Sequence, residues 1–159
     1  MPRKVTKTLV RDIPADRIYG DPTVQRLINR VMRDGKKQVA ERLVYSGMQI
    51  AADKLKVENP HDVFEQAFAN IKPHLETRSR RVGGANYQIP FEVKGQRQMH
   101  LTIMWFVQAA RAHRGMSMAN RIALELVDAY NNQGSAVKKR EDTHRMAEAN
   151  RAFAHFAHS

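Results

Sequence analysis

Three clusters of cations in this sequence are spaced to meet phosphate. Arg78, Arg80 and Arg81 stand in the stretch HLETRSRRV, beside Gly83-Gly84 and close to Tyr87. A guanidinium presents a planar fork that matches two phosphate oxygens, so three on one ribbon suit a nucleic-acid backbone. On an edge strand the same charges could simply discourage aggregation; nucleic-acid contact is the favoured of the two readings. Lys36 and Lys37 follow an Asp34-Gly35 turn and open a helix, where a cation gains nothing from the helix dipole. Backbone N–H groups at that point could share an anion with the two lysines, or the pair could be an exposed basic turn, and spacing does not choose between them. Lys138, Lys139 and Arg140 are read as opening the last helix, again a poor place for cations unless a phosphate is bound. Glu141 and Arg145 follow as an i,i+4 pair that would stabilise a solvated face. Ahead of all these, Arg3, Lys4, Lys7, Arg11 and Arg17 mark residues 1–20 as a flexible basic arm, for which a nucleic-acid contact is again preferred.

Enzymatic chemistry finds little to stand on. The phosphate loop GxxxxGK[ST], the dinucleotide fingerprint GxGxxG after a strand and the nucleophile elbow GxSxG are all missing. Cysteine is absent, which removes disulfides, thiolate zinc sites and cysteine nucleophiles together. The seven histidines are scattered. His155 and His158 are three apart and could share a helix face as metal ligands, but no nearby carboxylate completes a site. No catalytic residue, metal, cofactor or small-molecule substrate is expected.

Charge points to the class of partner. The chain carries 27 Lys+Arg against 16 Asp+Glu, a formal net charge of +11 with a pI near 10.3. An excess of that size on 159 residues repels itself and suggests a polyanion, either nucleic acid or an anionic membrane surface. The longest apolar cluster, Leu101 to Ala112, is too short and too interrupted to span a bilayer. The opening MPRKVTKTLVRD has no apolar centre resembling a signal peptide. A cytosolic basic protein with no membrane partner is expected.

The elements that must hold these cations in place are mostly helical. Hydrophobic residues make up 42% of the chain, enough for one core over residues 21–159. Asp21-Pro22 and Asn59-Pro60 both read as an N-cap followed by proline at the first helical position. The first helix shows Val24, Leu27, Ile28 and Val31 on one face; a second runs from about Lys37 to Leu55; a third carries Val63, Phe64, Phe68 and Ile71. The period then changes, and Tyr87, Ile89, Phe91 and Val93 alternate with polar residues or proline. Residues 74–94 are therefore read as a β-hairpin turning at Gly83-Gly84, with Pro90 barring a further strand on its side. Helices resume over about Gln98 to Arg114, from Ser117 towards Gly134, and over about Lys138 to Phe153. The expected fold is mainly α, about six helices in a single bundle-like domain with one protruding hairpin. Two helices joined at Gly115 also resemble a helix-turn-helix, so a DNA-binding regulator using Arg121 is the alternative.

Several stretches are identifiable as a family pattern. Ser79-Arg80-Arg81-Val82-Gly83-Gly84, with Tyr87-Gln88-Ile89-Pro90 and Glu92-Val93, closely resembles the hairpin of the bacterial small-subunit ribosomal protein seven family. The tail from Ala136 to His155 resembles the same family almost continuously, and Asp34-Gly35-Lys36-Lys37, Ser117-Met118-Ala119 and Glu125-Leu126 add shorter matches in the same order. The resemblance implies a cytoplasmic, structural constituent of the small ribosomal subunit. Such a protein binds the 3′ major domain of 16S rRNA directly and nucleates assembly of the subunit head. It also implies a place at the subunit interface near the exit-site tRNA and the mRNA exit path, with small-subunit proteins nine and eleven as partners. By position, rRNA binding carries over to Arg3, Lys4, Lys7, Arg11, Lys36, Lys37, Arg78, Arg80, Arg81, Lys138, Lys139 and Arg140, and the tRNA-proximal tip to Arg81, Val82, Gly83 and Gly84. Two places depart from the pattern. Met104 stands where the family commonly has arginine, and the ending HFAHS is idiosyncratic.

Overall fold

Helix starts follow the capping chemistry. In the computed structural model, which describes residues 11–157, α1 spans Pro22–Val31 and the Asp21 carboxylate accepts the Thr23 N–H at 2.6 Å. After α2 (Lys37–Leu55), the Asn59 side chain accepts the His61 N–H at 3.1 Å to open α3 (Pro60–Ile71). The hairpin strands β1 (Leu75–Val82) and β2 (Ala85–Glu92) come next, then α4 (Gly95–Ala112). Ser117 caps α5 (Met118–Tyr130) by accepting the Asn120 N–H, and α6 (Gly134–Ala149) leads into a 3-10 helix at Arg151–Ala157. The protein is thus mainly α with one antiparallel hairpin, as its periodicities predict. Arg3, Lys4, Lys7 and His158 lie outside the described residues.

The core forms where the apolar faces of the helices meet. Val24, Leu27 and Ile28 of α1, Val44 and Met48 of α2, and Ile122 and Leu126 of α5 are completely shielded from solvent. Phe64 and Phe68 of α3 meet Phe106 of α4 in a ladder of rings 4.1 and 5.1 Å apart. Gly47 lets α2 lie hard against α5, since a Cβ there would come within 2.6 Å of Ile122 Cγ2. Glu125, buried among these helices, accepts the Ala136 N–H at 2.9 Å and pairs with His113 Nε2 at 3.1 Å. One carboxylate therefore ties α5 to the end of α4 and the start of α6.

That tie explains where the last helix begins. Sequence signals start it at Lys138, but it begins at Gly134, because Glu125 supplies from a neighbouring helix the acceptor that a local cap would otherwise provide. Lys138, Lys139 and Arg140 consequently lie one turn inside the helix, and the argument from an unfavourable helix terminus loses force for them. The α-helix also ends at Ala149, short of Phe153, and the chain tightens into the 3-10 helix. Ahead of α1, the described part of the basic stretch contains a turn organised by buried Asp16. Its carboxylate accepts N–H groups from Ile18, Tyr19 and Asp21 and the Tyr45 hydroxyl, all at 2.8–3.0 Å.

Candidate nucleic-acid interface

The hairpin pairs in register from Leu75↔Glu92 to Val82↔Ala85, leaving Gly83 and Gly84 as a two-residue turn with φ of 57° and 85°. Left-handed geometry at both positions matches the twist of the strands and suits glycine. The ribbon is anchored at its base. Ile89 is fully buried, and Glu76, also buried, is gripped by Arg97 at 2.9 Å and by Arg78 Nε at 2.6 Å. Burial would raise the Glu76 carboxyl, but the hydrogen bonds from Arg97 and Arg78 outweigh it and hold it below its ordinary value. Arg78 also lies over the Phe91 ring, 5.1 Å from its centroid. Arg80 donates to the Phe156 carbonyl of the 3-10 helix. Arg81, Gly83 and Gly84 are exposed at the outer end and Val82 is half-buried. The three arginines are therefore differently placed: Arg78 braces the root, Arg80 reaches the C-terminal segment, and Arg81 sits by the tip.

Lys36 and Lys37 stand at an uncapped helix start. No side chain caps α2, and both lysines are exposed beside the Asp34-Gly35 turn, whose residues have φ of 53° and 70°. In the tail, Lys138 and Lys139 are exposed, whereas Arg140 is turned inward. Its guanidinium donates to the Asn70 carbonyl and, at 3.4 Å, to Asn132 Oδ1, clamping α6 to the end of α3.

A further group of cations joins these and was not singled out from the sequence. Arg26 and Arg30 lie on the face of α1 opposite its apolar residues, Arg33 follows the helix, and Arg111 of α4 donates to the Arg30 carbonyl at 3.2 Å. Burial, then the charges of Arg33 and Arg30, lower the proton affinity of Arg111; these cations crowd one another, and among the described residues none of them makes an ion pair with a carboxylate. A depression of about 750 Å³ beside them is lined by Arg11, Arg26, Arg30, His100 and Met104, with Asp12 its single carboxylate. Arg26 Nε is buried there with no hydrogen-bond partner among the described residues, an arrangement an anion would satisfy. The readable signal was the i,i+4 spacing of Arg26 and Arg30 on a helix with no acidic residue in its first turn. Their partner Arg111 comes from 81 residues away and only folding reveals it.

One group could be considered for metal among the described residues: Asp21, His61 and Glu65, whose ligand atoms lie within 4.8 Å. Asp21 Oδ2 is 3.0 Å from His61 Nε2, while Glu65 Oε1 is 3.9 Å from Nδ1. The carboxylates thus address opposite ring nitrogens, which suits a hydrogen-bonded brace between α1 and α3 better than ligands converging on one ion. His155 Nδ1 lies 3.0 Å from the Ala152 carbonyl.

The family pattern for ribosomal protein S7p/S5e matches residues 2–151. The chain belongs to that family. Relatives include small ribosomal subunit protein uS7 of Thermotoga neapolitana, 56% identical over 146 residues, covering 92% of this chain and 94% of the relative. Another is uS7 of Dictyoglomus turgidum, 53% identical over 156 residues, which cover 98% and 99% of the two chains. The resemblance drawn from the hairpin and tail is therefore borne out across the length of the chain. Membership also weighs against the helix-turn-helix alternative, as does the setting of α5. That helix is buried between its neighbours through Ile122, Ala123, Leu126 and Ala129, and Arg121 Nε donates to the Met116 carbonyl at 2.9 Å.

Proposed function

We propose that this protein is a structural, non-enzymatic component of the small ribosomal subunit in the cytoplasm, and that it binds the 3′ major domain of 16S rRNA directly. One observation carries the reading: family membership joined to exposed cations that are not spent on ion pairs within the fold. Among the described residues, Lys36, Lys37, Arg81, Lys138 and Lys139 make no ion pair. A helical core that fixes several such surfaces relative to one another favours one tertiary arrangement of the RNA over others, and nucleating assembly of the subunit head requires that bias. A-form RNA hides its base edges in a deep groove, so shape and phosphate placement supply the specificity. The hairpin tip, Arg81 to Gly84, is assigned to the neighbourhood of the exit-site tRNA and the mRNA exit path at the subunit interface. Small-subunit proteins nine and eleven are the proposed protein neighbours. Arg3, Lys4, Lys7 and Arg11 are assigned to rRNA, with Lys36, Lys37, Arg78, Arg80, Arg81, Lys138, Lys139 and Arg140. Within this set Arg78 and Arg140 act mainly by holding the ribbon and α6 in position.

The test is affinity for a 3′ major-domain rRNA fragment as a function of salt. Changing Lys36, Lys37, Lys138 and Lys139 together to alanine should weaken binding and reduce the slope of log K against log salt by up to about 4. Wild-type affinity and slope in that variant would remove both surfaces from the interface.

A further inference from the structure

The turn between α1 and α2, the C-terminal part of α4 and the start of α5 enclose a cavity of about 410 Å³. Its floor is apolar: Val31 and Ala40 are buried beneath it, with Met32, Leu43 and Met118 half-buried and Val39 exposed at 46%. Its rim is cationic, formed by Arg33, Lys36, Arg111 and Arg121, with Asp34 the single carboxylate. The volume lies within the range of about 300–1,000 Å³ typical of ligand clefts. An intact RNA helix offers phosphates but nothing to fill an apolar floor. An apolar peptide side chain would fill the floor but leave four cations facing a single carboxylate.

Resting on the rRNA-binding reading above, we propose that this cavity receives an unstacked base of the bound RNA, with its flanking phosphates on the cationic rim. An unpaired nucleotide combines the two chemistries the site presents. Its flat, weakly polar base lies against the methionine, valine and leucine side chains, and guanidinium planes at the mouth can stack on it. The adjoining phosphates neutralise cations that otherwise repel one another around Arg111. The cavity thereby converts a charge-based contact into one that requires a single-stranded position in the RNA, a source of specificity that phosphate contacts alone do not supply.

The experiment uses the full chain carrying ¹³C-methyl methionine and a 3′ major-domain rRNA fragment. The Met32 and Met118 methyl resonances should move upfield under the ring current of an inserted base, while fully buried Met48 stays in place. Inorganic polyphosphate, which has charge but no bases, should not produce that upfield shift. Separately, Val39→Phe places an aromatic ring at the exposed mouth and removes no cation. Its rRNA affinity should fall about tenfold, the worth of roughly one stacked base, with the salt slope unchanged. If the fragment binds but Met32 and Met118 do not move, or if Val39→Phe binds like the wild type, base insertion is overturned and the charged interface stands. If the wild-type chain does not bind the fragment at all, the rRNA reading fails first and this inference with it.

Discussion

Asp16 and Glu76 are buried carboxylates in a chain dominated by cations, and each is held ionised by what surrounds it. Burial would raise the Asp16 carboxyl, but N–H groups of Tyr19, Asp21 and Ile18 with the Tyr45 hydroxyl bring it below its ordinary value. Burial and the same carboxylate push the Tyr45 hydroxyl up to about 12, so it remains a donor throughout the working pH range. Both carboxyls bind protons more weakly in the folded chain than in the unfolded one. Their stabilisation is therefore fully present above the ordinary carboxylate range, near pH 4, and is lost as pH falls through their lower folded-state values. Glu76→Gln should lose about 2 kcal/mol at neutral pH, the typical worth of hydrogen bonds to a charged group. Its melting temperature should also fall less steeply between about pH 5 and 2 than that of the wild type; an equally steep acid limb would show that Glu76 titrates normally. At this scale the sequence was legible for chemistry but not for engagement. Arg78, Arg80, Arg81 and Arg140 read alike as phosphate forks. Only the fold shows Arg78 gripping Glu76 and Arg140 gripping Asn70, because both partnerships depend on where elements meet.

Elements were legible wherever a local signal governs them. Proline after an N-cap starts α1 and α3 at the expected residues, and the switch from helical to alternating periodicity marks the hairpin, because these preferences act over a few neighbouring residues. The end of the chain was less legible because its conformation answers to the hairpin. Phe153 and Phe156 lie 4.9 and 5.8 Å from Tyr87 on β2, and Arg80 on β1 donates to the Phe156 carbonyl. A two-stranded ribbon is marginal alone, and this aromatic clasp supports it beyond the buried root. The idiosyncratic ending HFAHS thus contributes Phe156 to holding the ribbon. Changing Phe153 and Phe156 together to alanine should speed amide hydrogen exchange in residues 78–90 about tenfold, consistent with aromatic pairs worth about 0.5–1.5 kcal/mol each. Exchange in α2 and α5 should not change. Equal acceleration in those helices would mean that the clasp supports the whole domain and not the ribbon.

Considered as a whole, the molecule sets its own stability against its affinity for a polyanion. A net charge of +11 is distributed over a small surface, and one part of it is built from cations distant in sequence: Arg30 and Arg33 from α1 and the turn after it, and Arg111 from α4. Folding brings them together at an electrostatic cost visible in the lowered proton affinity of Arg111, to which burial contributes first and then the charges of Arg33 and Arg30. Salt should therefore act in opposite directions on the free and bound chain. Raising the ionic strength shortens the Debye length to about 10 Å at 0.1 M and screens the self-repulsion, so the melting temperature of the free protein should rise. The same salt restores the entropy advantage of free counterions and weakens RNA binding along a straight line in log K against log salt. Arg33→Gln separates the two effects at one position. The free variant should melt slightly higher than the wild type and gain less from added salt, because Arg111 has lost one like-charged neighbour. Its rRNA affinity should fall, with the salt slope reduced by about 1. A melting temperature below the wild type at low salt would show that Arg33 stabilises the fold, and the crowding of cations around Arg111 would then not be the strain that RNA relieves.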